Sequence, residues 1–292
     1  MRDFRFGFTL ATHGSQRELI QTCRTAEAFG YDIALAVDHL GPGRSSPFQS
    51  ALAAALASDR LRVGTFVINT GFWNPWVLAR EVATVQRMSG GRFELGLGAG
   101  SFWDAIAAMG GPRRSPGEAV AALEEAVGLL RMLWSDRPSV RFQGRHYRVA
   151  GLKPGPAPAH PIGIWVGAYR PRMLALVGRL ADGWVPSSSY LPPERLVAAQ
   201  ARIDDAAAAA GRDPAAIRRL YNISGRIGPG GGGFLDGPPG QWVEQLLPLV
   251  VETGMDTFVV WPSESPASQL QVFAAEVAPA LREAVAAHRG RG

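Results

Sequence analysis

Residues 61–100 read LRVGTFVINTGFWNPWVLAREVATVQRMSGGRFELGLGAG. Leu61 to Ile68 is rich in β-branched and aromatic residues, the composition of a strand. Asn69 to Asn74 is its loop. Pro75 stands at the first turn of a helix over 75–89, and Gly90-Gly91 stops it. Phe93-Glu94-Leu95-Gly96-Leu97 is the next strand, followed by Gly98-Ala99-Gly100.

The same alternation runs outward in both directions. Upstream, Phe4 to Phe8 alternates as a strand. Ser15 and Glu18 have the spacing of a capping box for a helix over 15–29, which Gly30 ends. Tyr31 to Val37 is a buried strand that delivers Asp38-His39. A Gly/Pro-rich loop, 41–47, leads to an alanine-rich helix ending near Leu56.

Downstream, 101–117 reads as irregular or a short helix. Residues 118–134 form an amphipathic helix, with Val120, Leu123, Val127, Leu130 and Trp134 on one face. Residues 139–143 and 146–149 flank Gly144-Arg145 as a small hairpin, so 135–160 is an insertion before the fifth strand. Strands at 162–166, 183–186, 217–227 and 256–261 then alternate with helices at 171–181, 193–210, 241–253 and 267–287. Eight strands and eight helical connections suit a closed (β/α)8 barrel or an open doubly wound sheet. About 290 residues with no linker between halves favour the barrel, the TIM architecture, as one domain over 1–292.

Composition narrows the function. The chain has 292 residues, 47% of them hydrophobic, as in soluble enzymes. One cysteine, Cys23, excludes an internal disulfide framework, and five scattered histidines argue against a metal site. The net charge of +5 comes with no basic run longer than two, which argues against a nucleic-acid partner. Met1 to Arg5 opens no secretory signal and no apolar run spans a membrane, so a cytoplasmic protein is expected.

Barrel active sites lie at the C-terminal ends of the strands. The candidates there are Thr9 and His13; Asp38 and His39; Asn69, Thr70, Phe72 and Trp73; Gly98, Gly100 and Ser101; Gly167, Ala168, Tyr169 and Arg170; Ser187 to Ser189; Ser224 and Arg226; Trp261 and Glu264. The set lacks the paired acids of a glycosidase and any nucleophile elbow. It suits a flat, anionic ligand. His39 can exchange a proton near neutral pH with Asp38 beside it, although the pair would also serve as a plain turn. Gly167 to Pro171 opens a helix whose free amides attract phosphate, with Arg170 as an added charge. Gly96 to Gly100 misses the dinucleotide spacing and reads as room for a ring. The Gly/Pro-rich segment 228–240 carries Phe234-Leu235, an apolar pair suited to a lid.

These residues resemble a family. Ala26-Glu27 with Gly30-Tyr31-Asp32, Asp38-His39, Leu61 to Thr65, Asn74-Pro75, Leu78 to Thr84, Gly91 to Gly100 and Leu180 to Trp184 are together similar to the luciferase-like flavin- and deazaflavin-dependent oxidoreductases, which are (β/α)8 barrels. The resemblance runs over nearly the whole chain. It implies coenzyme F420, or alternatively FMN, with its ring across the barrel mouth and His39 with Asp38 as catalytic residues. Thr65, Phe66, Val67 and Asn69 would back the ring, often through a cis peptide bond. Gly98 and Gly100 would give it room. Gly167, Ala168, Tyr169 and Arg170 would hold its phosphate.

Sugar-phosphate dehydrogenases of the family carry a glutamate where this chain has Ser101. The substrate expected instead is small and apolar or aromatic, against Phe72, Trp73, Phe102, Trp103 and Phe234. The implied reaction is F420-dependent hydride transfer; the alternatives are an FMN-dependent monooxygenase and a non-catalytic cofactor-binding barrel. A homodimer and a separate flavin or F420 reductase complete the expectations.

Overall fold

Eight parallel strands close on themselves in a computed structural model that describes residues 4–10, 15–39, 44–101, 103–155, 157–262 and 266–290. The strands are β1 (Arg5–Leu10), β2 (Ile33–Ala36), β3 (Arg62–Thr65), β4 (Phe93–Gly98), β5 (Ile164–Val166), β6 (Gly183–Trp184), β7 (Arg218–Ile227) and β8 (Thr257–Pro262). Each pairs with the next. The last returns to the first, with Arg5 opposite Thr257 and Phe8 opposite Val260. This is the expected TIM barrel. Around it lie α1 (Gln16–Ala28), α2 (Pro47–Ala57), α3 (Pro75–Met88), α4 (Trp103–Ala108), α5 (Pro116–Leu133), α6 (Pro171–Leu180), α7 (Leu196–Ala209), α8 (Pro239–Val251), α9 (Pro266–Val272) and α10 (Ala278–Arg289).

Side-chain alternation along each strand sorts residues into two cores. Phe6, Phe8, Phe93, Leu95, Leu97, Ile164, Tyr221 and Phe258 join the core shared with the helices. Ile33, Leu35, Phe66, Trp165, Val185, Leu220 and Val259 form the smaller core inside the ring. On β4 the inward positions are therefore Glu94, Gly96 and Gly98. Glu94 sits at the strand's beginning, where it pairs with Arg62 of β3 at 2.6 Å. Burial pushes its carboxyl above the usual range, and Arg62 opposes the shift. Arg218 and Asp256 pair nearby at 3.1 Å. Charge closes the floor and glycine empties the mouth. A one-residue slip would turn Glu94 outward among apolar side chains whose burial is worth about 1.5–3 kcal/mol each.

Several elements differ from the sequence expectation. The strand expected over 61–68 is broken: β3 stops at Thr65, the Phe66–Val67 peptide is cis, and Ile68–Asn69 is a separate two-residue strand beside β4. The helix expected at 118–134 starts earlier, at Pro116, because Ser115 and Glu118 form a full capping box. The helix expected at 193–210 begins as a 3₁₀ turn over Pro193–Arg195. The terminal helical run is interrupted by a π turn over Phe273–Val277.

The inserted hairpin pairs Val140–Gln143 with Arg148–Leu152. Its turn has four residues rather than two, with the Gly144 N–H donating to the Tyr147 carbonyl at 3.0 Å. The Glu125 carboxylate of α5 accepts the N–H groups of Arg145, His146 and Tyr147 at 2.7, 2.9 and 3.0 Å. Burial opposes ionisation of Glu125, but these three bonds outweigh it and hold the carboxyl below its usual range.

The segment 228–240 is tied to the barrel at its far end. Asp236–Gly237 pairs with the end of β7. Leu235 is fully buried and donates its N–H to Gln245 Oε1 at 2.7 Å. Phe234 packs against the outer core.

Candidate active site

A cavity of about 770 Å³ opens at the C-terminal ends of the strands. Asp38 and His39 enter it from β2, Phe66 to Asn69 from the segment after β3, and Gly98 to Ser101 from β4. Gly167, Tyr169, Arg170 and Met173 follow β5. Val185, Pro186, Ser187, Ser189 and Tyr190 follow β6, while Asn222 and Ser224 come from β7 and Trp261 from β8.

Asp38 ends a buried strand and is itself drawn inward. Its Oδ2 accepts the Asn69 N–H and the Trp73 indole N–H, both at 3.0 Å. Burial pushes the Asp38 carboxyl up, while these two bonds oppose it. The next residue, His39, is exposed and tilts its ring 31° to that of Trp261, with centroids 6.2 Å apart. Partial desolvation of the ring at the cavity wall and the nearby Arg44 lower the His39 pKa, against the pull of Asp38. The shift favours the neutral imidazole, the form that can accept a proton.

Glycines shape the wall for different reasons. Gly100 has φ +98, and a Cβ there would lie 2.4 Å from Asn69 Oδ1. Asn69 uses that oxygen to accept the Gly71 N–H and its amide to donate to the Ser101 carbonyl. Gly100 is thus required by the protein itself. Gly167 is not: a Cβ there would meet Val67 Cγ2 at 3.6 Å and the Val185 carbonyl at 3.7 Å, ordinary contacts. No packing reason excludes a Cβ at 167, and the residue lines the cavity.

The polar end of the cavity lies at the start of α6. Its cap residue, Arg170, supplies no side-chain bond to the first turn. The first-turn amides of Arg172 and Met173 have no carbonyl within the helix to bond. Burial pushes the Tyr169 hydroxyl up to about 12, against a hydrogen bond from the Ser187 backbone. The Asn222 side-chain amide donates to Ser187 Oγ at 2.8 Å, and its Oδ1 is buried without a hydrogen-bond partner among the described residues.

Of the residues singled out from sequence, Asp38, His39, Phe66, Val67, Asn69, Gly98, Gly100, Gly167, Tyr169 and Arg170 come together on the cavity. Thr65 and Ala168 lie buried behind it: Thr65 bonds the Gly96 carbonyl, and the Ala168 carbonyl accepts the Trp184 indole. Trp73 packs edge-on against Phe48. Phe72, Trp73, Trp103 and Phe234 are half-buried outside the lining. Phe102, His13 and Glu264 fall outside the described residues. Met173, Val185, Tyr190 and Asn222 were not expected. Asn222 shares the inward parity of Leu220 and Ser224, which is the signal that locates it; Tyr190 lies in an irregular loop that offers none. Among the described residues, no group of three His, Cys, Asp or Glu could hold a metal ion. Among them, too, no helix is long and apolar enough to cross a membrane.

Residues 4–225 match the luciferase-like monooxygenase family. The chain is 34% identical over 236 residues to the F420-dependent glucose-6-phosphate dehydrogenase of Nocardia farcinica, covering 76% of this chain and 69% of that one. Similarity to the enzyme of the same name from Mycolicibacterium smegmatis has the same identity and coverage. Among solved structures, an F420-dependent secondary alcohol dehydrogenase superposes with TM-score 0.84 at 18% identity, over 96% of this chain and 100% of that one. A long-chain alkane monooxygenase superposes with TM-score 0.81 at 14% identity, over 97% and 92%.

Proposed function

The chain belongs to the luciferase-like monooxygenase family, and from that premise we propose that it is an F420-dependent oxidoreductase acting on a small apolar or aromatic organic substrate. One observation carries the reading. A single cavity joins a strand-end imidazole to a wall left open at Gly167 and to a helix start with no side-chain cap. Those features fit a ring carrying a phosphate. The buried side-chain oxygen of Asn222, Oδ1, adds an acceptor without a partner among the described residues. Relatives at 34% identity that are F420-dependent support this cofactor over FMN.

Phe66, Val67, Gly98 and Gly100 would flank the ring. The amides after Gly167, together with Arg170, would hold the phosphate. When bound, the deazaflavin supplies hydride transfer. The neutral His39 imidazole takes the proton from a substrate hydroxyl in the oxidising direction, and the imidazolium returns it in reverse. Asp38 is a positioning residue: its bonds to Asn69 and Trp73 fix the chain on which His39 stands. For the substrate, Phe66, Val67, Met173, Val185 and Trp261 offer apolar surface. Among the described residues Arg170 is the one Lys or Arg in the lining, and Ser101 stands where the resemblance to sugar-phosphate enzymes calls for a glutamate. Both points favour an uncharged substrate.

The second reading is an FMN-dependent monooxygenase, which the same helix start would serve because FMN also ends in a phosphate. Fluorescence titration of the purified protein with F420 and with FMN decides between them. The expected result is a Kd for F420 at least about tenfold lower. Tighter FMN binding with oxygen-dependent turnover would overturn the F420 reading.

A further inference from the structure

Between Asp136 and Asp182 the chain carries no acidic residue but eight Lys and Arg, more than its whole net charge of +5. The fold gathers part of this excess at one side of the cavity. Arg170 stands at the N-cap position of α6 and lines the cavity. Arg172 reaches from the first turn of α6 to the Gly117 carbonyl of α5 at 2.9 Å. Beside Gly117, Glu118 meets Arg145 at the hairpin tip at 3.3 Å. The adjoining Tyr147 ring lies under the Arg114 guanidinium, 5.6 Å from its centroid. A chain of contacts thus links four arginines from the cavity mouth across two helix starts to the inserted hairpin. Glu118 is the carboxylate that meets Arg145 there. Glu125 is occupied by the turn amides, and Glu124 by Arg179 at 2.7 Å. Arg145 keeps 74% of its side chain exposed.

We propose that this surface is a subsite for a polyanionic tail leaving the cavity beside Arg170: the glutamate chain that F420 carries beyond its phosphate. The proposal rests on the F420 reading above. FMN ends at its phosphate and would leave the surface unused. One exposed guanidinium contributes little, but several aligned along a chain of carboxylates act together and respond to salt.

The test compares two forms of the coenzyme: F420 with its glutamate chain, and F420-0, which keeps the phosphate and lacks the glutamates. At low ionic strength the tailed form is expected to bind about tenfold more tightly, and the gap to shrink as salt rises through about 0.5 M. Arg114→Gln combined with Arg145→Gln should close the gap while leaving the Kd of F420-0 unchanged. Arg87→Gln, an exposed arginine in the last turn of α3, should leave the gap intact. Equal affinity for the two forms in the unmodified protein, or a gap the double substitution does not change, overturns the subsite and leaves the F420 reading standing. Binding of neither form overturns that reading and the subsite with it.

Discussion

Gly167→Ala separates a wall shaped for a ligand from a wall shaped for folding. The added Cβ would find Val67 Cγ2 at 3.6 Å and the Val185 carbonyl at 3.7 Å, so the protein accepts it without movement. A glycine replaced by alanine at a compatible backbone gains about 0.4–1 kcal/mol from the unfolded chain. At about 2.1 cal/mol/K per residue, unfolding this chain carries an entropy near 0.6 kcal/mol/K, so Tm should rise by less than about 2 °C. The methyl group instead occupies cavity space against which the cofactor would lie. Overpacking of a fitted site costs about 1–3 kcal/mol, which corresponds to roughly a 5- to 150-fold weaker Kd for F420. Gly96→Ala is the contrast: its Cβ would lie 2.2 Å from the Thr65 carbonyl, so stability should fall before binding is measured. Thermal unfolding of the free protein and fluorescence titration with F420 read the two effects separately. An unchanged F420 affinity in a stable Gly167→Ala protein would refute the assignment of this wall.

His39→Ala should lower kcat about 10²- to 10⁴-fold with little change in cofactor affinity. Because burial and Arg44 lower the His39 pKa, the acid limb of kcat/KM for oxidation should lie below 6.5 and vanish in the variant. An acid limb above 6.5, or one that survives the substitution, contradicts the role. Gly100→Ala should cost about 1–3 kcal/mol in thermal unfolding, since it combines φ +98 with a clash on Asn69. Asp38→Ala removes the acceptor of two hydrogen bonds and should destabilise the fold by about 1–3 kcal/mol, read by urea unfolding. Cys23 is fully buried with its thiol pushed up to about 12, so a disulfide reagent at pH 8 should label it only after unfolding.

Much of the barrel was legible because its strands are short apolar runs with punctuation at both ends. The Gly90-Gly91 stop and the β4 glycines locate one side of the cavity with no tertiary information. The break after Thr65 was not legible from pattern, since Phe66 and Val67 are as strand-like as their neighbours; there it was the resemblance that pointed to a cis bond. Phe72 and Trp73 follow a strand yet stand clear of the cavity lining. The Asn69 side chain folds their loop by accepting the Gly71 N–H, and Asp38 takes the Trp73 indole. Loop aromatics obey such local hydrogen bonds, which strand periodicity does not encode. Asn222 was hidden for the opposite reason: it sits within a long strand, where polar residues ordinarily pass as solvent-facing.

The order in which the ring is completed bears on how the chain is made. The stretch that matches the family ends at residue 225, yet β8, at 257–262, is the strand that joins β7 to β1. At a synthesis rate of about 5–20 residues per second, β1 waits roughly 10–50 s after its own emergence for its second neighbour. For that interval an unpaired backbone edge stands beside Phe6 and Phe8, which later lie fully buried. A ribosome stalled after α8 would therefore hold an open, aggregation-prone crescent rather than a smaller enzyme. Yield in a cell would then depend on chaperone supply far more than the stability of the finished barrel suggests.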